Sequence, residues 1–190
     1  MKFEIVDIPW KHLIIDDFLN DEEYEKILVY IKSAYDFSKK SGYVEIHKHN
    51  SDSVISNIFC SKIISIKDLY FDELNYGNKE LPEVYYPYIE LVVSPPGFKY
   101  FKIHTDVAFK LMTTVYYFYP DFSTGTELYT TNKKTSYHHS VEWKKNRALS
   151  FVSQEKDEYQ KTWHNYLNST EDIRITFNLI LSTHENGKNK

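Results

Sequence analysis

The stretch FKIHTDVAFKLMTTVYYFYP, residues 101–120, joins a His-x-Asp pair, His104 and Asp106, to a run of β-branched, aromatic and apolar residues that stops at Pro120. Residues of that kind fit a pleated, half-buried surface, so 111–119 predict a strand. The same texture recurs on both sides. Upstream, EVYYPYIELVVS (83–94) ends at Pro95-Pro96-Gly97, and KYFKIHTD (99–106) follows. Downstream lie TGTELYTT (124–131), NRALSFVS (146–153), YQKTWHNYL (159–167) and RITFNLILS (174–182). These short β-prone segments, separated by turn signals, predict a β-sandwich or jelly roll.

The first half reads differently. HLIIDDFLN (12–20) predicts a short strand leading into a helix over 20–35. Asn20 or Asp21 can cap that helix, and the acidic residues at 21–23 suit its positive end. Tyr24, Ile27, Leu28 and Ile31 recur at helical spacing and form one apolar stripe. Residues 36–53 predict a loop or irregular hairpin, and 58–76 a second, weaker amphipathic helix. Helices first and strands after predict a mainly β, α+β fold with N-terminal helices packed on one sheet. A chain of 190 residues fits one domain. Within it, helical support would cover about 1–82 and the β core about 83–183, with the tail HENGKNK frayed.

Composition narrows the function classes. A net charge of −4 with scattered lysines argues against a general nucleic-acid binder. Cys60 is the only cysteine, so no intrachain disulfide can form and a reducing compartment is expected; burial as a small apolar residue suits it better than nucleophilic work. Acidic residues interrupt every apolar run of the N-terminal stretch, unlike a signal peptide, and no run approaches the roughly 18 apolar residues of a membrane span. Together these predict a soluble cytoplasmic protein.

A lone His-x-Asp pair is weak evidence, since chance supplies about half an occurrence at this composition. Two further features give it weight. His164 lies in the predicted strand KTWHNYL, and two imidazoles with one carboxylate are what a non-haem Fe(II) centre needs to keep one face open for substrates. On an extended chain His104 and Asp106 point the same way and can reach one ion. The second feature is Arg174. Only two of the 23 cationic residues are arginine, Arg147 and Arg174, and a planar fork suits bidentate grip on a carboxylate. Alternation along RITFNLILS puts Ile175, Phe177, Leu179 and Leu181 on one face, and Arg174, Thr176 and Asn178 on the other. An inward-facing cation there lacks an evident permanent partner, and a bound carboxylate would serve. His138-His139 and HKH (47–49) read as surface histidines. Lys110 could face an acidic substrate or solvent, and Trp143 and Asn146 flank a loop that could rim the site.

HTD, then WH, then RIT resembles the Fe(II)- and 2-oxoglutarate (2OG)-dependent dioxygenases, double-stranded β-helix proteins with an H-x-D…H triad and a downstream Arg. TTVYYFYPDFSTGTELY is similar to the strand and Gly-containing hairpin that follow the pair in the prolyl-4-hydroxylase-like branch, and HLIIDDFLNDEEYEKIL to the branch's opening strand and helix. The resemblance implies a cupin-like jelly roll and a hydroxylase using Fe(II), 2OG and O2, with ascorbate allowed as a reductant. It implies that His104, Asp106 and His164 hold the metal. It also implies that Arg174 and Thr176 bind the distal carboxylate of 2OG, that Tyr117 is a further 2OG-binding residue, and that Leu128 lines the same pocket. The usual Gly-Gly before the hairpin strand is Gly125-Thr126 here, and Ser94 stands where some relatives carry a Tyr. The prime substrate stays open among a peptide, a glycan and a small metabolite, as does oligomeric state. The rival reading is a non-catalytic cupin-like protein that binds a sugar or metabolite.

Overall fold

The structure, a computed structural model, describes residues 1–34, 45–49, 54–73, 84–98, 101–107, 109–136, 138–152 and 162–184. Two antiparallel sheets face each other in a double-stranded β-helix. The larger has seven strands in the order β1 (Lys2–Val6), β2 (His12–Asp16), β8 (Ala148–Val152), β5 (Lys110–Tyr119), β10 (Arg174–Ser182), β4 (Tyr86–Ser94) and β3 (Glu45–His49). The smaller runs β7 (His138–Val141), β6 (Thr126–Tyr129), β9 (Trp163–Tyr166). Two helices, α1 (Asp21–Ala34) and α2 (Val54–Glu73), cover the outer face of the larger sheet.

Helix α1 starts where the sequence signals it. The Asn20 side chain accepts from the Glu23 N–H at 2.9 Å, and the Glu23 carboxylate accepts from the Asn20 N–H at 2.9 Å. Two orphan donors are thus satisfied reciprocally. Glu23 also reaches Lys62 at 2.8 Å, pinning α1 to α2. Ile27 and Ile31 of α1 join Ile55, Phe59, Ile63 and Ile66 of α2 over the sheet, and each such fully buried side chain contributes about 1.5–3 kcal/mol.

Strand alternation divides the interior. Ile175, Phe177, Leu179 and Leu181 of β10, with Met112, Tyr116 and Phe118 of β5, face the helices. Their sequence neighbours Val115 and Tyr117 face the smaller sheet, packing with Trp10, Leu128, Val141 and Trp143. Arg147 forks onto Asp16 at 2.7 and 3.1 Å. That hydrogen bonding outweighs burial and, with Lys144, lowers the Asp16 carboxyl to about 2.

The structure departs from the sequence reading in several places. The larger sheet takes in β1 and β3 besides the expected strand β2, so the segment before residue 83 supplies three strands along with the helices. Strand β3 lies inside the stretch 36–53, expected as a loop or irregular hairpin; the remainder of that stretch, and the tail beyond 184, fall outside the described residues, as do the side chains of HKH. Of the expected strand 99–106, residues 99–100 lie outside the described residues and 101–106 form only an isolated bridge, His104 to His164. Its backbone does follow β9: the Asn168 N–H donates to the Phe98 carbonyl, the Phe101 N–H to Tyr166, and the His104 N–H to His164. Beyond these single bonds the described residues form no regular ladder with β9. Asn146 does not rim the site. It sits at φ 65° and its side chain bonds Leu19 and the Tyr116 hydroxyl.

Gly125 is required by a close approach. A Cβ built there would lie 1.7 Å from the Val141 carbonyl oxygen and 2.9 Å from the Trp143 nitrogen, both backbone atoms. Gly125→Ala is therefore expected to destabilise the fold by about 3 kcal/mol or more, since the β6–β7 pair cannot yield by a side-chain rotation. Urea unfolding measures this; a loss under 1 kcal/mol would contradict the close approach.

Candidate metal centre

The two imidazoles are set by their backbones. His104 and His164 exchange both N–H···O bonds, at 3.0 and 2.9 Å, and their ring centroids are 4.4 Å apart. In each ring Nδ1 lies 2.9 Å from the carbonyl two residues earlier, Lys102 for His104 and Thr162 for His164. A carbonyl only accepts, so each Nδ1 carries a proton, and the neutral form of each ring presents its lone pair on Nε2. Burial lowers the His164 pKa to about 4, which keeps that ring neutral at physiological pH.

Asp106 completes the cluster. One ligand atom from each of His104, Asp106 and His164 lies within 4.8 Å of the others, and no further group of three candidate ligands is found among the described residues. Thr113 donates to one Asp106 oxygen at 2.7 Å, and Lys110 to the other at 3.1 Å. Burial works to raise this carboxyl but is outweighed, chiefly by the Lys110 charge, so it stays below the usual range. Lys110, left open by the sequence, thus faces the carboxylate and lines the same cavity.

That cavity, about 270 Å³, also takes in Arg174, Thr176, Thr126 and Tyr166. Arg174 is 1% exposed. Its Nε donates to the Thr124 carbonyl at 3.2 Å, whereas Nη2 is buried with no hydrogen-bond partner. Its guanidinium carbon lies 4.7 Å from the Tyr166 ring centre, 5.0 Å from that of Trp143 and 5.9 Å from that of Tyr117. Burial lowers the guanidinium to about 10, still a cation at neutral pH. Tyr117 stacks on Trp143 and gives its hydroxyl to Thr126 at 2.8 Å. Neither Tyr117 nor Leu128 is among the cavity-lining residues; Leu128 is cross-strand from His164 and fully buried in apolar surroundings.

The donor set fits a divalent metal such as Fe(II): two neutral imidazoles and one carboxylate. The orphaned Nη2 fits a carboxylate ligand in the same cavity. Sequence reasoning passed over Tyr166 and Thr113, although each could be reached by alternation, two residues from His164 and four from Tyr117.

The neutral buried imidazoles have a consequence for the ligand-free protein. His12 is fully buried, its Nδ1 2.8 Å from the Trp10 carbonyl, and burial lowers it, like His164, to about 4. A folded-state pKa below the unfolded value of 6.5 means that the unfolded chain binds the proton first. Stability should therefore fall as pH drops from 6.5 towards 4, at up to about 1.4 kcal/mol per pH unit for each group. Urea midpoints at pH 7.5, 6 and 5 measure this, and His12→Leu should roughly halve the slope. A flat profile would count against both assignments.

No family model and no curated protein matches this chain. Solved structures do. A Pseudomonas putida prolyl-4-hydroxylase superposes with TM-score 0.60 at 10% identity, covering 90% of this chain and 91% of its own. The viral collagen prolyl hydroxylase of Paramecium Bursaria Chlorella virus-1, as its 2OG complex, gives 0.62 at 19% identity, covering 90% and 94%. An oxidoreductase of the 2OG-Fe(II) oxygenase family from Burkholderia pseudomallei gives 0.61 at 8% identity, covering 91% and 84%. The likeness spans nearly the whole chain and is one of fold.

Proposed function

We propose that this chain is a non-haem Fe(II)- and 2OG-dependent oxygenase that hydroxylates a C–H bond. One observation carries the reading: a buried arginine with an unpaired Nη2 opens into the same cavity as a His-Asp-His cluster. The similar structures, which include a 2OG complex, support it. When bound, Fe(II) with 2OG and O2 would couple decarboxylation of 2OG to succinate and CO2 with hydroxylation of the substrate.

The chain's own part is binding, orientation and exclusion of water. His104, Asp106 and His164 would hold the metal. The carbonyls of Lys102 and Thr162 fix the tautomers, and Thr113 fixes the carboxylate. Arg174 and Thr176 would take the distal carboxylate of 2OG, with Tyr166 and Trp143 shielding the guanidinium from water. The substrate would enter past Phe101 and Val107, the latter 49% exposed at the cavity edge. No helix among the described residues is long and apolar enough to cross a membrane, and with Cys60 as the only cysteine we place the activity in the cytoplasm.

Anaerobic titration with Fe(II) and 2OG tests the reading. A weak visible charge-transfer band is expected, followed by succinate release when O2 and substrate are supplied. Folded, metal-loaded protein that shows no band and no 2OG binding would leave the cupin-like binding protein as the better account.

A further inference from the structure

The Tyr117 hydroxyl, expected to meet the ligand, is already committed. It donates to Thr126 Oγ1 at 2.8 Å, and Tyr117 itself is fully buried behind the cavity wall. Burial pushes the phenol up, so it keeps the proton it donates. A threonine hydroxyl has one proton to give and two lone pairs to receive. With one lone pair filled by Tyr117, the Thr126 proton is left to donate, and Thr126, 2% exposed, lines the cavity.

Thr126 and Arg174 line the same cavity, and neighbouring contacts tie their surroundings together. The Arg174 Nε is anchored on the carbonyl of Thr124, two residues before it. Cross-strand from Thr126 is Tyr166, whose ring lies 4.7 Å from the guanidinium carbon. Gly125, the residue before Thr126, packs its own backbone against those of Val141 and Trp143, which fixes where β6 begins.

We propose that Thr126 gives its hydroxyl proton directly to the carboxylate that Arg174 attracts, and that Tyr117 is a positioning residue acting through Thr126. This rests on the oxygenase reading and assigns a ligand contact to the position where the resembling family has its second glycine.

Calorimetric titration of 2OG into anaerobic, Fe(II)-loaded protein tests it. Thr126→Val keeps the shape and removes the hydroxyl; 2OG affinity should fall roughly 10- to 100-fold, the range for a hydrogen bond to a charged group. Thr126→Ser should stay within about 3-fold of the parent. Tyr117→Phe should weaken binding several-fold alone, yet add nothing to Thr126→Val in the double variant, because the two form one chain. Thr126→Val binding 2OG as the parent does would overturn the proposal, as would a Tyr117→Phe loss that adds in full. Should Thr126→Val not fold, Tyr117→Phe and Thr126→Ser still decide: an unchanged affinity in Tyr117→Phe, or a tenfold loss in Thr126→Ser, overturns it. A metal-loaded parent that binds no 2OG sinks the oxygenase reading, and this inference with it, which is a different result from either.

Discussion

Asp106→Ala is expected to lose divalent-metal binding by a factor between about 30 and several thousand, the cost of truncating one member of a buried charged pair. The loss exceeds that of one ligand. In the parent the Lys110 ammonium sits 3.1 Å from the carboxylate, with 13% of its side chain exposed. Without Asp106 that cation faces two neutral imidazoles and repels any incoming dication. The double variant Asp106→Ala/Lys110→Met should therefore regain part of the stability lost in the single variant, and with it little metal affinity. Anaerobic Fe(II) or Co(II) titration and thermal melts read the two effects separately. Metal affinity in Asp106→Ala within fivefold of the parent would remove Asp106 from the ligand set.

Arg174→Met should move two quantities in opposite directions. A buried guanidinium with an unpaired Nη2 is costly, and replacing a buried charge with a packed apolar residue can stabilise a protein by about 1–4 kcal/mol. The ligand-free variant should thus melt higher than the parent. Its 2OG affinity should fall about 100-fold or more, through loss of a charge-assisted contact in a water-poor site. Metal affinity should hardly change. A variant that melts lower and binds 2OG as the parent does would mean that Arg174 is structural. Opposed signs are what distinguishes a group held ready for a ligand from one satisfied within the fold.

Much of this was readable in the residues. The odd-even pattern of RITFNLILS announced which side of β10 is polar, and the scarcity of arginine singled out Arg174. Arg147 uses its fork on Asp16 within the chain, whereas Arg174 has no internal carboxylate and keeps Nη2 unpaired. What stayed hidden has physical causes. Residues 101–104 have strand composition but meet β9 only through single bonds to Tyr166 and His164, an irregularity that composition does not encode. Strand β7, reading HHSV, buries only Val141, so no alternation signals it. Lys110 carried two readings because its outcome depends on Asp106 folding back towards β5, a tertiary event. Thr126 read as a departure from a family pattern, and only the Tyr117 hydroxyl bond gives it a role.

The alternation along β5 and β10 also constrains how such a chain can change. Each of these strands serves two masters: one parity of residue feeds the helix-packed core and the other feeds the cavity. A single-residue insertion within β10 would carry Arg174 into the aromatic core and Ile175 into the cavity, damaging stability and chemistry in one step. The odd-even count along β5 and β10 is therefore a constraint that no single side chain carries: it decides which residues reach the cavity and which reach the helices.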